Sequence, residues 1–299
     1  MSGAAGVARL ARSPAFYLAA AWIVWRRELL RYRRERSQWF GGVSRAVLWL
    51  VVLGFGLGAS FRDIEGYTYA QYMLPGVATL NVLFASTQSA IALVWDREVG
   101  LMREVLVSPA PVTSVAAGKV LGGATVALIQ ATIALAFAPV VGVSLAPDRL
   151  LLAWAVVFCM GITMTSIGVL IASRMRSFEG FGSISNGVVL PLYFLSGSVF
   201  PLKGIIGGVG FLEIPDTLRA ELARLGIHAL GGGWVVRLPA WLQVLVYVNP
   251  VSYQLDLLRY VLLDYQQLPM VADVALVAAA PVLAMGVAVR AMARMAGQR

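Results

Sequence analysis

Few residues of this 299-residue chain are of the types that carry out bond chemistry. There is one histidine, His228, and one cysteine, Cys159, so neither a His-containing zinc site nor a Ser-His-Asp triad is expected. Gly118-Lys119 is followed by valine, and no Gly-x-x-x-x-Gly-Lys-Ser/Thr loop for nucleotide phosphates occurs in the sequence. We therefore expect no catalytic residue, no metal site and no cofactor bound by this chain.

The segment between residues 95 and 111 has the most informative charge pattern. Acidic and basic residues alternate there with apolar ones at helical spacing, which predicts a short helix with an apolar face on the membrane and a charged face toward the cytosol. Such a face suits contact with another protein, and a solvated loop is the alternative interpretation. The candidate contact residues are Asp96, Arg97, Glu98, Gly100, Arg103, Glu104 and Pro109.

A second candidate contact surface lies near the N-terminus. The apolar and aromatic residues from Ala15 to Trp25 are too few to cross a bilayer, and a dense arginine run follows them. This pattern predicts an amphipathic helix in the membrane interface, with a positive-inside anchor as the alternative. Glu28 is expected to contribute less than Glu98 to contact with another protein, because the neighbouring arginines dominate the charge of the helix surface around it. The candidates on this helix are Trp25, Arg26, Arg27, Glu28 and Arg31.

Transmembrane helices must position these candidates. The chain is 59% apolar and only 13% charged, with a mean hydropathy of +0.78, so it has too little polar surface for a soluble domain. The apolar residues fall in runs of about 20, the length that a helix needs to cross a bilayer. We predict one all-α membrane domain over residues 1–299 with about six spans, near 43–61, 72–95, 115–143, 150–172, 183–200 and 271–289.

The charge distribution orients these spans. The formal net charge is +9, and arginines concentrate at both chain ends and in the connections after the second and fourth spans. Under the positive-inside rule, both termini then lie in the cytoplasm. Residues 1–42 and 96–114 are expected to be cytoplasmic, and 201–267 to form an extracytoplasmic section with short or re-entrant helices. We attribute the excess positive charge to contact with anionic membrane lipids and expect no nucleic-acid partner.

Polar and aromatic residues inside the spans are candidates for a translocation pathway. On the second and fifth spans, polar residues seven positions apart share a helix face. Hydrogen bonding between helices, or packing against lipid, is the alternative role for each of them. The candidates are Trp49, Phe55, Asn81, Gln88, Asn186 and Tyr193.

A membrane-embedded lipid-modifying enzyme and an ion-coupled secondary transporter are the alternative functions for such a membrane domain. A lipid-modifying enzyme would need acids, bases or metal ligands that converge near an interface, and the sequence shows no such group. An ion-coupled secondary transporter would need internal repeats and polar ion ligands at mid-membrane, and no repeat is found. Asp273, at one end of the last span, is interpreted as an interface residue rather than a proton carrier.

Several short motifs, together with the basic N-terminal helix, resemble those of ABC-2 type permeases. These are the membrane subunits of ATP-driven exporters of drugs, polysaccharides, teichoic acids and lipo-oligosaccharides. The section from Lys203 to Arg237 is longer than expected for the family. The motifs are Tyr72-Met73-Leu74-Pro75-Gly76, Glu98-x-Gly100 with Glu104, Leu106 and Ser108-Pro109, Gly118-Lys119, Phe194-Leu195-Ser196-Gly197 with Phe200-Pro201, Asn249-Pro250-Val251-Ser252-Tyr253, and Asp256-Leu257-Leu258-Arg259.

The resemblance implies an exporter subunit in a bacterial cytoplasmic membrane. It implies a homodimer or heterodimer of permeases that pairs with two copies of a separate ATPase, on which ATP and Mg would be bound. The N-terminal helix and the segment from Asp96 to Pro111 would contact that ATPase. The first, second and fifth spans would line the pathway for an amphipathic drug, lipid or glycan-type substrate.

Overall fold

The computed structural model describes residues 13–58, 64, 66–100, 111–175, 177–202 and 239–297. Within these ranges the chain is almost entirely helical, and a single isolated β-bridge joins Ile64 and Tyr67. The α-helices in these ranges are α1 (Pro14–Arg34), α2 (Arg36–Trp49), α3 (Tyr69–Glu98), α4 (Val112–Leu135), α5 (Pro147–Arg174), α6 (Phe178–Leu195), α7 (Ala240–Val248), α8 (Pro250–Leu263) and α9 (Met270–Gly297). A π-helix, Leu50–Leu57, continues α2 without a break, and a short 3-10 helix, Ala138–Val141, follows α4.

Among the described residues, five helical segments are long and apolar enough to cross a membrane, and they confirm the all-α polytopic architecture predicted from the sequence. The fifth predicted span, near 183–200, corresponds to α6, which has 18 residues and is not one of the five. Glu179, Asn186 and Pro191 interrupt its apolar sequence, and the helix ends at Leu195. The five spans are Arg36–Gly56, Tyr69–Glu98, Val112–Val141, Pro147–Arg174 and Met270–Arg294.

Helix α3 is the centre of the bundle. In its most apolar window 72% of the residues are buried, whereas the corresponding values are 22% for Arg36–Gly56 and 17% for Met270–Arg294. The latter two segments therefore lie at the edges of the bundle, with most of their surface on the outside. Helices α4 and α5 pack against α3 through small residues, because a Cβ on Gly123 of α4 would come within 2.9 Å of Ser89 and one on Gly168 of α5 within 2.7 Å of Ala90.

Asn249 and Pro250 separate the two short helices α7 and α8, as the sequence predicts. Asn249 ends α7 and also caps α8, where its side-chain oxygen accepts from the backbone N–H of Val251 at 3.0 Å. Its amide nitrogen donates to the carbonyl of Leu192 in α6 at 2.7 Å. This break therefore also ties the two short helices to α6. Residues 203–238 of the predicted extracytoplasmic section lie outside the described residues.

Candidate site at the end of α3

The C-terminal end of α3 meets α1 and α4 in a group of charged side chains. Lys119 Nζ lies 2.8 Å from Asp96 Oδ2 and 3.1 Å from Glu28 Oε1. Arg27 Nη2 lies 2.7 Å from the same Asp96 oxygen, and Arg31 Nη2 lies 3.2 Å from Glu28 Oε2. We call these five residues the ion cluster. They connect three helices that are far apart in the sequence.

The three central charges of the ion cluster are shielded from solvent. The side chains of Glu28, Lys119 and Asp96 are 3%, 4% and 9% exposed. The two arginines close the cluster from the solvent side, since Arg27 and Arg31 are 47% and 32% exposed. Buried charges are tolerated where opposite charges satisfy them, and removing one partner leaves the others uncompensated. The ion cluster therefore fixes α1 on the pair of spans α3 and α4.

The last residues of α3 also bind the ends of two further helices. Glu98 Oε1 accepts from the backbone N–H of Phe178, at the start of α6, at 2.9 Å. A carboxylate at a helix N-terminus, like a cation at a C-terminus, opposes the partial charge of that helix end. Arg97 Nη1 donates at 2.8–3.3 Å to three carbonyl oxygens at the C-terminal end of α5, those of Ala172, Ser173 and Met175. We call Asp96, Arg97 and Glu98 the hub, because together they contact α1, α4, α5 and α6.

The predicted exposure of the charged segment is therefore wrong for two of its residues. Asp96 is only 6% exposed and Arg97 is half-buried, because both side chains are bound to other helices. Glu98 is exposed, and Gly100 follows with a positive φ of 79° that suits glycine. The remaining candidates of this segment, Arg103, Glu104 and Pro109, lie outside the described residues.

The N-terminal candidates lie on α1, and one side of that helix packs against α4. Trp25 Nε1 donates to Thr125 Oγ1 at 3.0 Å, while Arg26 is exposed. The reason for ranking Glu28 below Glu98 does not hold, because Glu28 is 4% exposed and bound to Lys119 rather than being screened on a basic surface. A helix is present where the sequence predicts one, and its position in the membrane interface stays a prediction. The amphipathic pattern does not indicate that its acidic residue, Glu28, faces the protein.

The pathway candidates fall into two groups. Asn81 and Tyr193 are fully buried, and Asn81 donates to the backbone carbonyls of Gly42 and Gln130 at 3.4 and 3.2 Å. Trp49 is half-buried and packs edge-on against Tyr193, with ring centroids 5.8 Å apart. The other three candidates are exposed on the surface of this chain: Phe55, Gln88 and Asn186. A pathway role for any of the six stays a prediction.

A polar network lies at the opposite, N-terminal end of α3. Arg259 lies with its guanidinium carbon 4.1 Å from the centre of the Tyr72 ring and donates from Nη2 to the carbonyl of Gly197 at 3.0 Å. The Tyr72 hydroxyl donates to the same carbonyl at 2.7 Å. Gln267 Nε2 donates to the Tyr72 hydroxyl at 3.3 Å. Three of the motifs that resemble the permease family thus meet in one buried network.

Asp256 anchors this network to the connection before α9. Its carboxylate accepts from the backbone N–H groups of Gln267 and Leu268 at 2.7–3.0 Å, and Arg259 Nη1 lies 3.8 Å away. Burial raises the pKa of Asp256, while the charge of Arg259 and the two backbone donors act in the opposite direction. Asp273, interpreted from the sequence as an interface residue, is also buried and accepts from Gln266 Nε2 at 3.3 Å.

Lys119, Asp256 and Arg259 are important residues that the sequence did not single out as site candidates. Lys119 is a lone lysine beside a glycine, and its partners are 91 and 23 residues away along the chain. Asp256 and Arg259 are spaced three apart, which allows a pair on one helix face, but it does not show that the pair is buried. Among the described residues no group of three metal-ligating side chains occurs.

Comparison with known proteins identifies the family. The model of the ABC-2 type transporter family matches residues 19–212. The chain is 22% identical to the transport permease ycf38 of Cyanophora paradoxa, over 82% of this chain and 74% of that protein. It is 27% identical to nodulation protein J of Rhizobium leguminosarum bv. viciae, over 71% and 81% of the two chains. It is 24% identical to the inner membrane transport permease YadH of Escherichia coli K12, over 85% and 87%.

The matched region includes most of α1, the ion cluster, the hub and Gly197, whose carbonyl accepts from Tyr72 and Arg259. Several aligned relatives extend the similarity to most of the chain. Since the family model covers more than half of the sequence, this protein belongs to the ABC-2 type transporter family and is the membrane subunit of an ABC transporter.

Proposed function

We propose that the chain is the permease of an exporter in a bacterial cytoplasmic membrane, with both termini in the cytoplasm. Two copies of a separate ATPase bind ATP and Mg and carry out hydrolysis, and this chain performs no bond chemistry itself. A second permease, identical or related, completes the pathway. The cargo is an amphipathic drug, lipid or glycan-type molecule that moves outward.

The hub is the observation that carries this proposal. Residues 101–110 lie between the hub and α4 in the sequence, so a partner that moves this segment acts at the point where α3 is joined to four other helices. The ion cluster strengthens the attachment of α1 at the same junction. A displacement at this end would therefore move α1, α3, α4 and the adjoining ends of α5 and α6 together, rather than bending one loop.

The junction between α1 and α2 supports placing the hub end of the molecule at the membrane surface. An open cleft of about 470 Å³ lies there, lined by Leu30 and three arginines. All three arginines are exposed, and none of them forms an ion pair within the described part of the chain. Such a basic cleft suits anionic lipid headgroups on the cytoplasmic leaflet. The arginines are Arg33, Arg34 and Arg36.

Reconstitution with the ATPase tests this function. Wild-type chain, Glu98→Ala and the Glu98→Ala, Glu104→Ala double variant are each assembled with the ATPase in proteoliposomes, and permease-dependent ATP hydrolysis is measured. We expect the double variant to lower that hydrolysis by about tenfold, which corresponds to about 1.4 kcal/mol of lost interaction. Asp148→Ala serves as the control, because Asp148 is an exposed carboxylate in the first turn of α5 and lies outside the hub.

Two results would contradict the proposal. Unchanged permease-dependent hydrolysis by the double variant would show that this segment does not transmit force from the ATPase. ATP hydrolysis by the purified chain without any partner would show that the energy-supplying site lies in this chain. Membrane insertion and yield of each variant are measured first, so that a folding defect is not mistaken for a loss of coupling.

A further inference from the structure

Arg45 is a cation inside a membrane span that has no acidic partner in the part of the chain that the structure describes. It is the tenth residue of the 21-residue span Arg36–Gly56. Within the described ranges no acidic side chain forms an ion pair with it, whereas Arg27 and Arg31 each have two acidic partners and Arg149 has one. An ionisable side chain in a span is costly, and such residues generally mark sites of function.

The surroundings of Arg45 hold its guanidinium in place without neutralising it. The guanidinium carbon lies 4.2 Å from the centre of the Phe84 ring on α3, in a cation–π contact. Nη2 donates to the carbonyl of Gly41 at 3.3 Å. Nη1 is buried and has no hydrogen-bond partner among the described residues. The residue as a whole is half-buried, so part of its surface is open on α2.

Two further unsatisfied polar atoms lie one helical turn away. At Gly42, three residues before Arg45, the side chain of Gln130 packs so closely that an added Cβ would lie 3.4 Å from its carboxamide. Asn81 donates to the backbone carbonyls of Gly42 and Gln130. The amide oxygens of Asn81 and Gln130 are buried acceptors, and the Gln130 side chain lies next to the Tyr32 hydroxyl. Amide oxygens cannot donate to an acidic group, so the unpaired donor that an acidic group would satisfy in this region is Nη1 of Arg45.

Apolar surface adjoins this polar site. On the outer side of α2, Val43, Val47 and Leu48 are 40%, 39% and 57% exposed. A ligand that fits both features has an acidic head for the guanidinium and a hydrocarbon tail for the apolar side of the helix. A guanidinium binds carboxylate and phosphate oxygens in a bidentate manner, which suits either acid.

We propose that Arg45, supported by Phe84, binds the acidic headgroup of an amphiphile within the membrane. The headgroup is a phosphate or a carboxylate, and it comes either from the cargo or from a resident anionic lipid. Assigning it to the cargo rests on the proposed export function and narrows the substrate class to anionic amphiphiles. The binding step itself needs no ATPase.

Binding to the chain alone tests the site. The purified chain is placed in nanodiscs of neutral phosphatidylcholine and titrated with 11-(dansylamino)undecanoic acid or with its uncharged amide, and dansyl fluorescence is recorded. We expect wild type to bind the acid about tenfold more tightly than the amide, the difference expected for a hydrogen bond to a charged group. Arg45→Gln should abolish this preference, and Arg45→Lys should restore part of it. Arg290→Gln, which removes an exposed arginine on α9, should keep the preference.

The site is overturned if wild type binds the acid and the amide equally, or if Arg45→Gln keeps the preference. It is also overturned if Arg45→Gln converts a dimer into monomers and wild type shows no preference, because Arg45 would then pair with an acid on a second copy. Thermal unfolding of each variant verifies that it is folded, and Arg45→Lys provides a variant that retains the charge.

A second measurement separates the two sources of the headgroup. In the complex with the ATPase, cargo should change the rate of ATP hydrolysis in wild type and not in Arg45→Gln. A resident lipid should instead appear as bound phosphatidylglycerol in native mass spectra of wild type and be lost from Arg45→Gln. Either result supports the headgroup site, and only the first also supports recognition of an anionic cargo. A failure of the ATPase to assemble would bear on the proposed function alone.

Discussion

At the scale of single residues, Lys119 has the greatest structural consequence. It is the buried cation of the ion cluster and contacts both buried carboxylates, Glu28 and Asp96, whereas Arg27 reaches the same two carboxylates from the solvent side. Arg27 and Arg31 lie on the solvent side and are screened, so they contribute less to the stability of the cluster. The positive charge of Lys119 therefore allows the buried carboxylates of Glu28 and Asp96 to lie close to each other.

Replacement of Lys119 tests this view of the cluster. We expect Lys119→Ala to lower the stability of the folded protein by about 3–5 kcal/mol, because it leaves two carboxylates buried without the buried cation that they share. The thermal unfolding midpoint in detergent, followed by tryptophan fluorescence, is the measurement. Arg26→Ala is the control, since Arg26 is exposed on the same part of α1 and should leave the midpoint unchanged. Equal midpoints for Lys119→Ala and Arg26→Ala would contradict the structural role of the cluster.

At the scale of helices, the crossing of α1 over α4 depends on two glycines. A Cβ on Gly118 would lie 2.5 Å from the carbonyl oxygen of Ala21, and one on Gly122 would lie 2.8 Å from Glu28 Cβ. The absence of side chains at these positions lets the two helices approach closely enough for Lys119 to reach Glu28. The crossing and the ion cluster are thus one arrangement, in which backbone contact sets the distance between the charges.

A single methyl group should disturb this crossing. We expect Gly122→Ala to destabilise the protein by about 1–3 kcal/mol, the usual effect of overpacking, and to weaken the contact between Trp25 and Thr125. Gly286→Ala is the matched control, because an added Cβ at that helical glycine of α9 meets nothing within 4 Å. The thermal midpoint and tryptophan emission of both variants are compared with wild type. A Gly122→Ala protein as stable as Gly286→Ala would show that the crossing is loose.

At the scale of the whole molecule, α3 carries a polar structure at each end. The ion cluster and hub lie at its C-terminal end, and the network of Tyr72, Arg259 and Asp256 lies at its N-terminal end. Between them α3 is the most deeply buried of the five spans. Since both structures bind residues from several other helices, α3 connects the two faces of the domain mechanically.

Which face lies in the cytoplasm can be measured directly. In a Cys159→Ala background, Ser2→Cys, Thr217→Cys and Gln298→Cys are labelled in intact cells with a membrane-impermeant maleimide. The charge distribution predicts labelling of Thr217→Cys only, with both termini protected until the cells are opened. Labelling of either terminus in intact cells would contradict the predicted orientation. It would also contradict the assignment of the hub to the side on which the ATPase binds.

The sequence by itself determined the membrane class, the helical architecture and most helix positions. Length and hydropathy of the apolar runs depend only on local composition, and the break at Asn249-Pro250 follows from the missing proline N–H and its steric effect. Local motifs were likewise sufficient to suggest the family. The weakest helix position was that of α6, where polar residues shorten the apolar run.

Only the tertiary structure decided which charged residues are buried and what they bind. Asp96 and Glu28 have the same side-chain types as exposed surface residues, and nothing nearby in the sequence distinguishes them from Glu98. Their environment is set by Lys119, which reaches them through helix crossings that span 91 and 23 residues of the chain. Charge burial depends on such long-range contacts, because a carboxylate leaves water only where a distant part of the fold supplies its partner.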